Sequence, residues 1–305
     1  MNLEIEVFGA SFQNPILLAS GTCGYGNELT EYFDLDGLGG FVLKAVTIEE
    51  RAGNPAPRVA EFAAGMLNSV GLANVGLARL KAEKLPWLAQ HVRRARVFVN
   101  VAGRTIDEFA EIIRVLDDAT GFFGYELNVS CPNVKEGGTW FSSRADLLEP
   151  VVRAARAATA KPLVVKLAPN VPDIGAMAEV AAAAGADGLT LINTVPGLLF
   201  DLSTRAPVLG AGSGGISGPA VLPIGVHAVA QARRRVSIPL IGVGGVRSAE
   251  DAAQYLLAGA SLVQIGTASF ADPRAALRVL EDMKRLGRQL GVTNVRELVG
   301  AGRLP

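Results

Sequence analysis

The stretch Glu126-Leu127-Asn128-Val129-Ser130-Cys131-Pro132-Asn133 reads as the end of a buried strand that opens into an amide, a thiol and a proline-stiffened turn. A strand needs only apolar residues to hold its place, so Asn128 and Cys131 at its exit are explained by a ligand more easily than by packing. Outward from this stretch, short β-rich runs recur at 15–21, 41–47, 97–103, 124–131, 163–169, 188–194, 239–246 and 262–268. Between them lie Ala-, Leu- and Arg-rich segments of helical periodicity, at 106–119, 145–158, 173–184 and 249–257.

Eight strands alternating with helices predict an α/β chain folded as a TIM (β/α)8 barrel. Ala184-Gly185-Ala186 and Ala258-Gly259-Ala260 place a glycine where a helix closes before the next strand. Residues 3–14 alternate apolar and polar around Gly9, which predicts an N-terminal β-hairpin plugging the barrel bottom. Three connections, 48–73, 132–145 and 195–217, are longer than a barrel needs, and each follows a strand. They are therefore expected over the C-terminal mouth, where barrel active sites lie. No low-complexity tract or linker divides the chain, so residues 1–305 are read as one domain.

Half of the residues are apolar and 19% are charged, enough for a large core and against disorder. Lysine plus arginine and aspartate plus glutamate number 29 each, so no global field recruits nucleic acid or an anionic membrane. The start Met1-Asn2-Leu3-Glu4-Ile5-Glu6 lacks the pattern of a signal peptide, and no stretch approaches the ~20 apolar residues of a membrane span. The cytoplasm is the expected compartment. The two cysteines, Cys23 and Cys131, form no CxxC pair, so this chain is not expected to hold a Cys-ligated iron–sulfur cluster.

The polar residues at the predicted strand tips are Ser20, Lys44, Thr47, Asn100, Asn128, Cys131, Lys166, Asn193, Thr194 and Thr267. Carboxylates are nearly missing from that set, and His91 and His227 fall in predicted helices, which disfavours a metal site and a histidine base. Two cations, a thiol and a ring of amides suit a planar anionic ligand with donors and acceptors on its edge. Lys44 and Lys166 interrupt apolar strands, and burying an unpaired ammonium costs several kcal/mol, so each is expected to face an anion. Gly242-Val243-Gly244-Gly245 closes the seventh strand and Gly266-Thr267 the eighth, where barrels commonly bind phosphate through backbone N–H groups. No GxGxxG opens a βαβ unit, against a Rossmann-type dinucleotide site. Asn68 is read as a loop asparagine, ordinarily a turn former, and Cys23 as structural.

Taken together, Asn128-Val129-Ser130-Cys131-Pro132-Asn133-Val134-Lys135-Glu136-Gly137-Gly138, Asn54-Pro55-Ala56-Pro57-Arg58, Gly65-Met66-Leu67-Asn68, Ile192-Asn193-Thr194 and Gly242-Val243-Gly244-Gly245-Val246 resemble class 1 dihydroorotate dehydrogenases. The NVK-x-GG and GMLN segments are most similar to the FMN-bearing catalytic subunit of the NAD-linked class 1B form. The resemblance implies oxidation of dihydroorotate to orotate in pyrimidine biosynthesis on FMN at the barrel mouth, with Cys131 as the base. It implies substrate contacts from Lys44, Asn68, Ser69, Val70, Gly71, Leu72, Asn128, Asn133, Asn193 and Thr194. FMN contacts are implied for Ser20, Lys44, Ala45, Asn100, Asn128, Lys166, Ile192, Gly218, Gly244, Gly245, Gly266 and Thr267. FAD and a [2Fe-2S] cluster would sit on a separate electron-transfer subunit, giving a heterotetramer around a homodimer. Leu198-Leu199-Phe200 hints at an interface. The loop from Pro132 to Arg144, with Gly137-Gly138, is the expected lid.

Class 2 relatives use serine as base and carry an N-terminal extension, neither of which is expected here. Ser69 stands where many relatives have alanine, and Cys23 where an aromatic is common. Competing readings are a class 1A enzyme using fumarate, another flavin barrel acting on a dihydropyrimidine or a dihydrouridine, a Schiff-base aldolase with Lys166 as nucleophile, and a non-catalytic partner-binding barrel.

Overall fold

The structure is a computed structural model that describes residues 1–130, 132–133 and 139–303, without the side chains of residues 132, 133, 139 and 140. The expected base Cys131, the amide of Asn133 and residues 134–138 of the expected lid, Gly137 and Gly138 among them, therefore lie outside the described residues.

Eight parallel strands close in chain order. They are β1 (Ile16–Leu18), β2 (Gly40–Val42), β3 (Arg96–Val101), β4 (Gly124–Asn128), β5 (Leu163–Leu167), β6 (Gly188–Leu191), β7 (Leu240–Val243) and β8 (Leu262–Ile265). Closure is made by β8 against β1, with Val263 opposite Ile16 and Ile265 opposite Leu18. Apart from Arg96, every residue of these strands is buried. Helices cover their outer face and side chains fill the inside, which is why the strands read as unbroken apolar runs rather than as alternation.

The outer layer comprises α1 (Leu85–His91), α2 (Ile106–Leu116), α3 (Ala145–Ala157), α4 (Ile174–Ala183), α5 (Leu222–Arg233), α6 (Ala249–Ala258) and α7 (Ala275–Leu290). Their starts are set by side-chain caps: Thr105 accepts from the Glu108 N–H, Asp173 from Ala176, and Ser248 forms a capping box with Asp251. Gly259 ends α6 at φ 113° and Gly185 follows α4 at φ 106°, so both Ala-Gly-Ala signals mark helix ends as read. Between β1 and β2 the chain makes only two short 3-10 turns, Asn27–Leu29 and Leu35–Gly37, in place of a full helix.

The N-terminal hairpin pairs Ile5–Val7 with Ala10–Phe12 around a turn at Phe8 and Gly9, both with positive φ. Its rings seal the barrel bottom: Phe8 meets Phe98 edge-on at 6.1 Å, Phe12 meets Phe123 at 5.8 Å, and Phe98 meets Phe123 at 5.5 Å between centroids.

At the opposite end, the predicted strands run past the regular ladder. In the 41–47 run the regular ladder ends at Val42 and is interrupted where the Lys44 N–H turns to the Gly24 carbonyl at 2.8 Å, before Val46 bridges Val101 on β3. Two of the long connections build a second sheet there, in the order Val195–Gly197, Gly214–Ser217, Gly65–Asn68, Val59–Phe62. The Thr267 hydroxyl, just past β8, donates to the Ser217 hydroxyl at 2.8 Å and ties that sheet to the barrel rim.

Tyr255 of α6 is the packing key under the β7 tip. Its ring lies against Gly242 and Gly225, where a β-carbon on either would overlap it, and its hydroxyl donates to the Gly244 carbonyl at 2.8 Å. Gly242→Ala is expected to cost about 1–3 kcal/mol through overpacking, read as a lower urea midpoint at unchanged slope. An unchanged midpoint would mean that the Tyr255 ring is free to yield.

Candidate active site

The three neighbouring strands β3, β4 and β5 supply the centre of the site. Asn100 on β3 sits opposite Glu126 on β4, and Asn128 on β4 opposite Lys166 on β5. Alternation sends Glu126 and Asn128 to the same face, the barrel interior, with Asn128 one step nearer the mouth.

Glu126 is 1% exposed. Its Oε1 accepts from Asn100 Nδ2 at 2.8 Å, and its Oε2 accepts from Thr190 Oγ1 at 2.8 Å and from Gln264 Nε2 at 2.9 Å. The Lys166 ammonium, itself buried, lies 4.0 Å from Oε1. A buried carboxylate without partners would cost several kcal/mol, and here four groups from four other strands compensate it. The carbonyl oxygens of Asn100 and Gln264 remain buried without a partner among the described residues. Such orphaned acceptors are uncommon in folded chains and call for an explanation.

Nearer the mouth, Asn193 Nδ2 donates to Asn128 Oδ1 at 3.4 Å, and Asn193 Oδ1 accepts from the Thr194 N–H at 2.8 Å. Thr194 fits under the mouth sheet because Gly215 leaves the space, and a β-carbon there would overlap its hydroxyl. Lys44 is half-buried and makes no ion pair among the described residues. The expectation that each lysine faces an anion is thus met within the chain by Lys166 alone.

The glycine-rich tips of β7 and β8 close the other side. Gly244 and Gly245 lie at φ 126° and 75° and Gly218 at φ 94°, conformations that favour glycine. A β-carbon at Gly245 would press on Leu222 and on the Gly218 carbonyl, so the two turns abut. Gly266 faces Ala19, next to the buried Ser20. Ala45 is buried, and so is Ile192, which follows a cis peptide bond from Leu191.

Asn68 is not a turn residue. It ends a strand, lies opposite Gly215 and donates to the Gly215 carbonyl at 3.1 Å. Ser69, Val70, Gly71 and Leu72 pack against 51–58: Asn54 Nδ2 donates to Ser69 Oγ at 2.8 Å and the Asn54 N–H to the Val70 carbonyl at 3.0 Å. The hydroxyl of Ser69, where an alanine was expected, thus gains a definite partner. Thr47, named among the strand tips, is structural: its hydroxyl accepts from Asn74 Nδ2 at 2.8 Å and donates to the Glu49 carbonyl at 2.6 Å.

Sequence reasoning passed over Glu126, Thr190, Gln264 and Ser130. The signal for Glu126 was available, since a carboxylate inside an apolar strand is as anomalous as the lysines that were singled out. Ser130 donates to the Lys166 carbonyl at 3.0 Å and is buried.

The dihydroorotate dehydrogenase family profile matches residues 2–286. A putative dihydroorotate dehydrogenase A (fumarate) of Solibacter usitatus is 50% identical over 98% of this chain and 97% of its own length. The catalytic subunit of dihydroorotate dehydrogenase B (NAD(+)) of Pelobacter propionicus is 47% identical over 98% of each chain. A crystal structure of DHODH from Eimeria tenella in complex with ferulenol superposes with TM-score 0.82 over 98% of this chain and 88% of its own. At 23% identity it bears on the fold alone.

Cys23 lies 2% exposed, with its thiol 2.9 Å from the Val42 carbonyl, and burial pushes its pKa up to about 12. It is a protonated, enclosed group at neutral pH, in keeping with a structural role. In a Cys131→Ala protein, iodoacetamide at about pH 8 is expected to leave Cys23 unlabelled until urea is added. Labelling of the folded protein would show that the segment after β1 opens.

Proposed function

We propose that this chain, which belongs to the dihydroorotate dehydrogenase family, oxidises (S)-dihydroorotate to orotate in pyrimidine biosynthesis as a single FMN-binding domain. The observation that carries the reading is the buried row of Asn100, Asn128 and Lys166 across three adjacent strands. Buried polar groups at a barrel's C-terminal mouth are placed for a ligand rather than for the core.

The residues present fit FMN. Asn100 Oδ1 is a buried acceptor in want of a donor, Lys166 brings a buried cation, and the tight turns at Gly218, Gly244 and Gly245 let backbone approach a phosphate. Ser20, Ala45, Ile192, Gly266 and Thr267 complete the proposed pocket, with Lys44 and Asn128 shared between cofactor and substrate. FMN, when bound, supplies a two-electron acceptor for the hydride that leaves substrate C6.

Lys44, a mouth cation without an ion pair among the described residues, pairs with the substrate carboxylate. Asn68, Asn128, Asn133, Asn193 and Thr194 hold the ring edge, and residues 69–72 form the wall beside it. Cys131 takes the C5 proton. The Ser130 hydroxyl donates to the Lys166 carbonyl, and the neighbouring thiol is the base that the family resemblance implies. The mouth sheet excludes water from the transfer.

For the electron acceptor, the NVK-x-GG and GMLN segments favour NAD reached through a partner subunit bearing FAD and an iron–sulfur cluster, in a heterotetramer built on a homodimer. With two cysteines this chain would leave the cluster to the partner. The fumarate-type relative at 50% identity supports the second reading, direct reoxidation by fumarate. No helix among the described residues is long and apolar enough to cross a membrane, and we place the enzyme in the cytoplasm.

The deciding experiment is the visible spectrum of the purified protein, followed anaerobically as dihydroorotate is added. A flavin spectrum that bleaches is expected. Bound flavin that does not bleach would indicate another flavin barrel, and a protein colourless after FMN addition would end the flavoenzyme reading. Cys131→Ala is expected to keep flavin but lose bleaching. In the wild type the bleaching rate should rise from about pH 7 to 9 as the thiol ionises. Turnover by Cys131→Ala at the wild-type rate would remove that residue from the mechanism. Lys166→Ala is expected to weaken FMN retention, and wild-type retention would return Lys166 to a structural role.

A further inference from the structure

We propose that Glu126 is a positioning residue for the flavin site, fixing the Asn100 amide and the Lys166 ammonium from the barrel interior. The inference rests on the functional reading above and deepens it. Glu126 touches neither substrate nor cofactor. Its effect passes through the two groups it holds.

The hydrogen-bond directions make the case. Asn100 has one amide with two ends, and Glu126 Oε1 takes the N–H end at 2.8 Å. The carbonyl end is thereby fixed as the free one, buried and without a partner among the described residues. A neutral residue in place of Glu126 would lose this polarity. A glutamine there would offer one acceptor and one donor to groups that now all donate; the Thr190 hydroxyl can turn to accept, but the amide of Asn100 or Gln264 facing the new donor would have to flip or lose its bond. A flipped Asn100 would present N–H groups where the structure leaves an acceptor.

Lys166 is held differently. At 4.0 Å the contact with Glu126 Oε1 balances charge without consuming a short hydrogen bond. The ammonium has three donors, and no other ion pair engages it among the described residues. Counter-charge below and free donors above are what an anionic ligand edge requires. Thr190 and Gln264 saturate Oε2. That saturation stops the carboxylate from rotating toward Lys166 and closing into a tight pair that would withdraw the ammonium from the mouth.

A carboxylate serving only to staple strands would affect folding but not the action of Lys166, and a double-mutant cycle on FMN affinity of the apoprotein separates the two. Glu126→Gln is expected to weaken FMN binding on the order of tenfold, within the range of coupling between contacting residues. In a background carrying both Asn100→Ala and Lys166→Met the same substitution should cost less than about twofold, because both groups through which Glu126 acts are gone. Glu126→Asp, which keeps the charge, should recover part of the loss. Wild-type FMN affinity in Glu126→Gln, or an equal loss in both backgrounds, would overturn the proposal. If Glu126→Gln does not fold, Thr190→Val replaces it, with a loss of about threefold expected and the same cycle deciding. A wild-type apoprotein that binds no FMN would instead strike the functional reading, so the two failures are distinguishable.

Discussion

A carboxylate enclosed by a closed barrel has to be compensated at every lone pair, and that requirement organises the interior of this chain. Glu126 receives Asn100 from β3, Lys166 from β5, Thr190 from β6 and Gln264 from β8. Each of those residues lies in a strand whose other positions are mostly apolar, and in each the polar side chain faces inward. Below this level the barrel is filled by rings, with Phe8, Phe12, Phe98 and Phe123 packed edge-on. Above it are the amides of the mouth. The polar layer is therefore the boundary between a part of the barrel that only has to be stable and a part that binds.

Stability and chemistry meet again at the β7 tip. Gly242 and Gly225 are small so that Tyr255 can lie close, and the Tyr255 hydroxyl is held on the Gly244 carbonyl. Burial raises the pKa of that phenol, which keeps it a donor. The glycine turn is thus anchored by a helix on the outer layer as well as by its packing on the Gly218 turn, which suits a turn whose N–H groups must stay available.

Much of this was legible in the sequence, and what was not has a physical reason. The eight strands showed as apolar runs because burial on both faces removes alternation. Lys44, Lys166 and the asparagines showed as polar breaks in those runs. Glu126 by itself gives no signal of what it binds, because its partners Thr190 and Gln264 lie 64 and 138 residues away in the chain. Asn68 was read as a turn former, since a lone amide in a long connection gives no sign that its backbone pairs with Gly215. The missing helix between β1 and β2 fits the glycines at 21, 24 and 26, which offer little helical propensity.

The mouth sheet also bears on the order in which the molecule assembles. Asn68 and Gly215 are joined across 147 residues, and the strands they occupy are only four residues long. Neither segment can find its partner until β2 and β6 have been brought together by closure of the barrel, so the loop entropy of nearly half the chain must first be overcome. The cover over the site is consequently a late-forming unit that pairs mostly within itself rather than with the barrel strands, and units of that kind open at lower free energy than the core. Ligand entry and exit therefore need not disturb the barrel: the element that folds last is also the one that can part first.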